Sequence, residues 1–266
     1  MKTRILSAFL AFLIFIPIFI MGGFIFNLTI LILAILATKE FIKVKDSKKI
    51  TPNFVKFISY IIVALLVLYD LNNQDIVFAT DYRIIAGLFL TFLLPTVLYH
   101  DHTKYNVRDA FYLVGGIFFL GIVFRLFILL YETNYRLLLY LFTITIITDT
   151  FSYFTGYLIG RHKLLENISP KKTWEGLIGG TIMGVFVSTV FFNTVIDPTL
   201  YIDRVIIMST FLSILGQLGD LVFSAIKRYF GCKDFSNIMP GHGGVLDRLD
   251  SIIFVMLGYM FFMPII

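Results

Sequence analysis

Residues able to do chemistry crowd into the last third of this chain. In GQLGDLVFSAIKRYF, Asp220, Ser224 and Lys227 are spaced i, i+4 and i+7, so a helix would present a carboxylate, a hydroxyl and an ammonium on one face, with Arg228 adjoining. Further on, MPGHGGVLDRLD places Asp247 and Asp250 at i, i+3, with Ser251 extending their face. Aspartates at a helix start often serve only as caps. Here they follow Gly241, His242, Gly243 and Gly244, and glycines beside a helix start let backbone N–H groups approach an anion closely, the device used for phosphates. Snorkelling from a helix end would account for Lys227 and Arg228 but not for Asp220, one turn deeper.

Two other stretches carry polar groups where apolar ones are expected. Asp149 falls near the middle of TITIITDTFSYFTGYLIGRHKL, with Thr143, Thr145, Thr148, Thr150, Ser152 and Tyr153 around it. A charge at the bilayer centre costs at least about 2.5–3.5 kcal/mol on insertion scales, so Asp149 calls for a partner or a polar cavity. A helix–helix hydrogen-bond cluster is the plainer alternative. In ISPKKTWEGLIGG, Ser169, Lys171, Lys172 and Thr173 could donate to phosphates, and Trp174 suits a membrane interface; a basic cytoplasmic loop would look much the same. His100, His102 and His162 read as solvated loop residues.

The elements that must position these groups are membrane helices. The chain has 266 residues, 58% hydrophobic and 15% charged, and a mean hydropathy of +0.90. Soluble domains are about 45–50% apolar, and spanning roughly 30 Å of hydrocarbon takes about 17–25 residues. Nine apolar segments of about that order recur, at roughly 5–21, 24–38, 54–70, 83–99, 110–131, 136–159, 175–196, 204–224 and 250–266. The expected fold is therefore an all-α polytopic transmembrane bundle of about nine spans. Gly22 and Gly23 punctuate a tight turn between the first two, and Pro17 should kink the first. The opening MKTRILSAFLAFLIFIPIFIMGG mimics a signal peptide but shows no small-x-small cleavage site, and reads as a retained first helix.

Loop charge sets the orientation. Lys39, Lys43, Lys45, Lys48, Lys49 and Lys56 mark the loop at 39–56 as cytoplasmic, and alternate counting puts 100–109, 160–174, 225–249 and the N-terminus on the same side. Only Arg83, Arg125, Arg136 and Arg204 of the 22 basic residues fall elsewhere. A net charge of +5 so distributed belongs to membrane loops and argues against a nucleic-acid partner. Cys232 is the sole cysteine, which excludes an intrachain disulfide and a cysteine-based metal site. The chain divides in character into an N-terminal membrane region, 1–135, and a chemically specific C-terminal region, 136–266.

From Ser224 to Asp250 the sequence reads S-A-I-K-R-x4-K-D-x-S-x2-M-P-G-H-G-G-V-x-D-R-L-D. This resembles the signature of the phosphatidate cytidylyltransferase (CDP-diacylglycerol synthase) family, with its polar positions filled by Ser224, Lys227, Arg228, Lys233, Asp234, His242, Asp247, Arg248 and Asp250. Met239 stands where that family more often has Leu, Ile or Phe. DTFSYFTGYLIGRHKL and SPKKTWEG are similar to the family as well, so the resemblance covers roughly 145–255. Loop charge independently puts these residues at the cytoplasmic face, and the chain's length suggests an inner (cytoplasmic) membrane. The resemblance implies a reaction of CTP with phosphatidate giving CDP-diacylglycerol and pyrophosphate, with Mg²⁺. On that reading Asp220 and Asp247 are metal ligands, and Asp250 is a third carboxylate. Lys227, Arg228 and Arg248 neutralise the triphosphate, and Gly243 and Gly244 admit backbone donors beside His242. Ser224, Ser169, Lys171, Lys172 and Thr173 hold CTP or the lipid headgroup, while Asp149 and Tyr153 line the polar cavity.

Two other functions stay open at this level. A CTP-dependent kinase or cytidylyltransferase acting on another lipid, such as a polyprenol, would need similar nucleotide chemistry. An ion-coupled transporter would use Asp149 and Asp220, but transporters commonly have repeated halves and midplane charges, unlike this chain. Acyl-chain preference and a homodimer are not decided by the sequence.

Overall fold

A computed structural model describes residues 13–68, 82–99, 103–238 and 243–263. Helices dominate it: α1 (residues 13–21), α2 (Gly23–Asp46), α3 (Asn53–Leu68), α4 (Tyr82–Leu98), α5 (Val107–Ile159), α6 (Trp174–Phe191), α7 (Ile202–Tyr229) and α8 (Leu246–Tyr259). A π-helical turn, Phe192–Ile196, follows α6. The expected all-α class holds with one addition. Residues read as a plain cytoplasmic loop form a two-stranded antiparallel hairpin, β1 (Lys163–Leu165) with β2 (Ser169–Thr173), pairing Lys163 with Thr173 and Leu165 with Ser169.

Among the described residues four helices are long and apolar enough to cross a membrane: Gly23–Asp46, Val107–Ile159, Trp174–Ile196 and Ile202–Tyr229. Asn53–Leu68 and Arg83–Leu98 are shorter apolar helices. At 53 residues α5 would run about 80 Å as one straight helix, well over twice a hydrocarbon core. It is not one helix, because Asn134 takes φ −158° and ψ 93° and breaks it between the fifth and sixth apolar segments. Gly22 and Gly23, at φ 61° and 52°, make the tight turn from α1 to α2. His100 and His102, read as solvated loop residues, lie outside the described residues.

The chain forms two compact units. The first comprises Met1–Ile128 and Asp234–Leu246. In it Phe26, Ile30, Ala34, Ala37 and Phe41 follow helical spacing and are buried. Phe41 stacks on Tyr112 at 4.5 Å, over Gly116, where any side chain would collide with the Phe41 ring. Asn106 and Asp109 cap the start of α5 reciprocally, each side chain accepting the other's N–H at 3.0 Å. The Asp109 carboxylate also pairs with Lys45 at 3.0 Å and Lys49 at 2.6 Å, joining α5 to the end of α2.

The second unit comprises Leu129–Lys233 and Asp247–Ile266. Its helices meet through small residues. Cβ atoms added at Gly176 or Gly180 would lie 2.7 Å from the carbonyl oxygens of Ser152 or Thr148, so the backbones of α5 and α6 are nearly in contact. Gly219 packs in the same way on Phe254, and Gly258 on Leu215 and Leu212, seating α8 against α7. Hydroxyl pairs join α5 to α7, Tyr140 with Ser209 at 2.8 Å and Thr148 with Ser213 at 2.9 Å. Part of the Asp149 polar face is thus helix–helix hydrogen bonding.

Candidate active site

The second unit gathers charges that are distant in sequence. α7 carries Asp220 in its C-terminal half, and Ser224, one turn on, donates to Asp220 Oδ1 at 3.4 Å, as the i, i+4 spacing requires. The opposite oxygen, Oδ2, pairs with Lys172 Nζ at 2.7 Å. Lys172 reaches it from β2, and its ammonium also donates to the Gln217 carbonyl at 3.1 Å. Lys227 does not snorkel: its ammonium meets Asp247 Oδ1 at 2.6 Å, with side chains only 10% and 5% exposed. Each of the two aspartates expected to bind metal is therefore held by its own lysine.

Asp149 and Asp250 complete the cluster. Asp149 is open on one side, hydrogen-bonds Ser251, and feels the charges of Asp220 and Lys172. Asp250 accepts the Ser251 N–H at 2.8 Å and lies within the fields of Asp220, Asp149 and Lys227. Four carboxylates share the region with two lysines, so they repel one another, and a further cation would relieve that repulsion. Among the described residues no three His, Cys, Asp or Glu side chains converge at metal-ligand distances. Mg²⁺ commonly uses one or two carboxylates, completing its shell with water and substrate phosphates, so Asp220 and Asp247 suit such an ion.

The remaining residues take more varied places. Thr173 caps α6, its hydroxyl accepting the Gly176 N–H at 3.1 Å. Ser169 and Lys171 lie on β2, Ser169 half-buried and Lys171 exposed. Arg228 is exposed and donates to the carbonyls of Ile168 at 3.5 Å and Cys232 at 3.3 Å. Arg248 is exposed on α8, and Tyr153 is exposed with its ring stacked 6.3 Å from that of Tyr157. Met239 to His242 lie outside the described residues, so the structure gives no position for His242. Gly243 is buried at φ 85°, a conformation that favours glycine.

Sequence reasoning passed over three groups. Gln217 is buried on α7, accepting from Ser152 at 3.2 Å while donating to the Leu177 carbonyl at 3.2 Å and Thr181 at 3.0 Å, which ties α5, α6 and α7 together beside Asp220. His162, read as solvated, is exposed but has an acidic partner in Glu175 at 2.7 Å, closing the neck of the hairpin. Glu40, on α2 of the first unit, is buried against the glycine segment: Oε1 accepts the Val245 N–H at 2.9 Å, and Oε2 the Leu246 N–H at 2.9 Å. As an acid among lysines, Glu40 gave no local signal in the sequence.

Comparison with known proteins agrees with this chemistry and extends the resemblance beyond 145–255. The phosphatidate cytidylyltransferase of Staphylococcus haemolyticus is 38% identical over 257 residues, 96% of each chain. Those of Staphylococcus saprophyticus and Staphylococcus aureus (strain COL) are 37% and 35% identical, again over 96% of each chain. With residues 2–266 matching the family as a whole, N-terminal half included, the chain belongs to the cytidylyltransferase family.

Proposed function

We propose that this protein joins CTP to phosphatidate, producing CDP-diacylglycerol and pyrophosphate, at a cytoplasm-facing site of a multi-pass protein in the inner (cytoplasmic) membrane. The observation that carries the reading is the lysine-bound carboxylate pair, Lys172 with Asp220 and Lys227 with Asp247, in a chain similar from end to end to phosphatidate cytidylyltransferases. Lysine- and arginine-rich loops alternating along nine apolar segments support this orientation, with the N-terminus inside.

The chemistry asks little of a base. A phosphomonoester has a second pKa near 6 and is already ionised near neutral pH. One of its oxygens attacks the α-phosphorus of CTP; a new P–O bond forms, the α–β P–O bond breaks, and its electron pair leaves with pyrophosphate. The barrier is the approach of one anion to another, so positioning and charge neutralisation dominate. Asp220 and Asp247 would hold the divalent cation, and Lys172 and Lys227, now paired with them, would then serve phosphate oxygens. We assign Asp220 and Asp247 to Mg²⁺, which when bound supplies Lewis-acid stabilisation of the phosphates. Asp250 and Asp149 lie beside this pair as further carboxylates.

Position-specific labelling of CTP tests the reaction class. Label at the α-phosphate should enter the lipid with phosphatidate as acceptor, and label at the γ-phosphate should leave as pyrophosphate. γ-Label in the lipid would identify a kinase instead. α-Label entering a polyprenyl phosphate in preference to phosphatidate would move the acceptor class.

A further inference from the structure

The glycine segment in front of α8 looks built to grip a phosphate, and the structure shows an anion already there. It is the carboxylate of Glu40, 1% exposed on α2. Besides the N–H groups of Val245 and Leu246, it accepts the Ser236 hydroxyl at 2.5 Å, while Ser236 takes the Ile238 N–H at 3.3 Å. All these residues belong to the first unit. Gly244 completes the seat: a Cβ there would lie 2.5 Å from Glu40 Cδ and Oε2, and its closest neighbours are all atoms of that carboxylate.

The first N–H groups of a helix have no partner within it, and the positive end of the macrodipole favours an anion. Charge-assisted hydrogen bonds to a carboxylate are about twice as strong as neutral ones. Glu40 supplies that anion from a residue 206 positions earlier in the chain. We propose that Glu40 is a positioning residue for cytidylyl transfer. Its carboxylate, rather than a substrate phosphate, occupies the Val245 and Leu246 N–H groups, setting where α8 begins and hence where Asp247, the next residue of that helix, is presented. Gly244 is glycine because Glu40 fills the space a side chain would need.

The inference rests on the cytidylyltransferase reading, and the test separates the two. Full-length parent, Glu40→Ala, Glu40→Gln, Gly244→Ala and the Glu40→Ala/Gly244→Ala double variant are compared in detergent for kcat, KM for CTP, and amide hydrogen exchange over residues 243–247. Glu40→Ala and Gly244→Ala should each lower kcat by about 10²-fold, the scale of a small misplacement of catalytic groups, with KM for CTP little changed. The double variant should be no worse than Glu40→Ala alone, since the added methyl then has room. Glu40→Gln, which keeps one acceptor oxygen, should fall between parent and Glu40→Ala. Exchange at Val245 and Leu246 should speed up in Glu40→Ala, and this is read without turnover. Multiplicative losses in the double variant, unchanged exchange, or a lowered KM for CTP in Glu40→Ala would overturn the inference, the last because freed N–H groups would then be serving the nucleotide. A parent that makes no product while exchange responds as expected would overturn only the cytidylyltransferase reading.

Discussion

Replacing Lys227 by Met asks how much of the second unit depends on a buried charge pair. The ammonium and the Asp247 carboxylate are 2.6 Å apart with 10% and 5% of their side chains exposed, so neither is well solvated once its partner is gone. Removing one member of such a pair costs about 3–5 kcal/mol, because the other charge stays buried and unpaired, whereas replacing both is often nearly neutral. Lys227→Met should therefore lose about that amount, on the order of 10 °C in unfolding midpoint. The Lys227→Met/Asp247→Asn double variant should recover most of it. Cys232, the only cysteine and half-buried, allows the assay: a thiol-reactive fluorophore reports its exposure as detergent-solubilised protein is heated. A midpoint for Lys227→Met within a degree or two of the parent, or a double variant as unstable as the two single losses added, would refute the reasoning. Both variants should be inactive whatever their stability.

Three further outcomes follow from the geometry. Lys172→Ala breaks a part-solvated pair with Asp220, 23% and 31% exposed, so stability should change by under about 1 kcal/mol, while product formation falls by about 10²-fold if Lys172 serves the phosphates; assay and melting curve together check this. Gly180→Ala should cost about 1–3 kcal/mol by forcing α5 and α6 apart, whereas Gly115→Ala, which meets nothing within 4 Å, should be neutral or gain about 0.4–1 kcal/mol; paired thermal scans compare them. In sealed vesicles of known sidedness, a membrane-impermeant maleimide should label Cys232 from the cytoplasmic face, and labelling from the other side would reverse the proposed orientation.

The helices were legible because membrane length and hydropathy are properties of contiguous residues. Even the Asn134 break falls in the short polar gap, Glu132 to Tyr135, between two apolar runs. The hairpin was not, since Ser169-Pro-Lys-Lys-Thr173 lacks the alternation that announces a strand and has only one β-branched residue, Thr173. Within the site, spacing on one helix identified the Asp220–Ser224–Lys227 face, but neither lysine–aspartate pair could be assigned: Lys172 lay in a different cluster from Asp220, and Lys227 read as a contact for the triphosphate or a snorkelling helix end. Glu40 was invisible for the same reason at greater range. Its partners lie some two hundred residues away, and nothing local distinguishes it from a loop acid among lysines. Contiguous pattern reveals elements, whereas a buried carboxylate's partners depend on which elements meet.

In the proposed reaction an anionic lipid displaces pyrophosphate from CTP at the Asp220–Asp247 site. Purified protein with CTP, Mg²⁺ and phosphatidate should release pyrophosphate and form CDP-diacylglycerol in equal amounts. Release should stop without the lipid, and should collapse in folded Asp247→Asn. Lipid-dependent release that survives undiminished in Asp247→Asn, or none from folded parent protein, would contradict it.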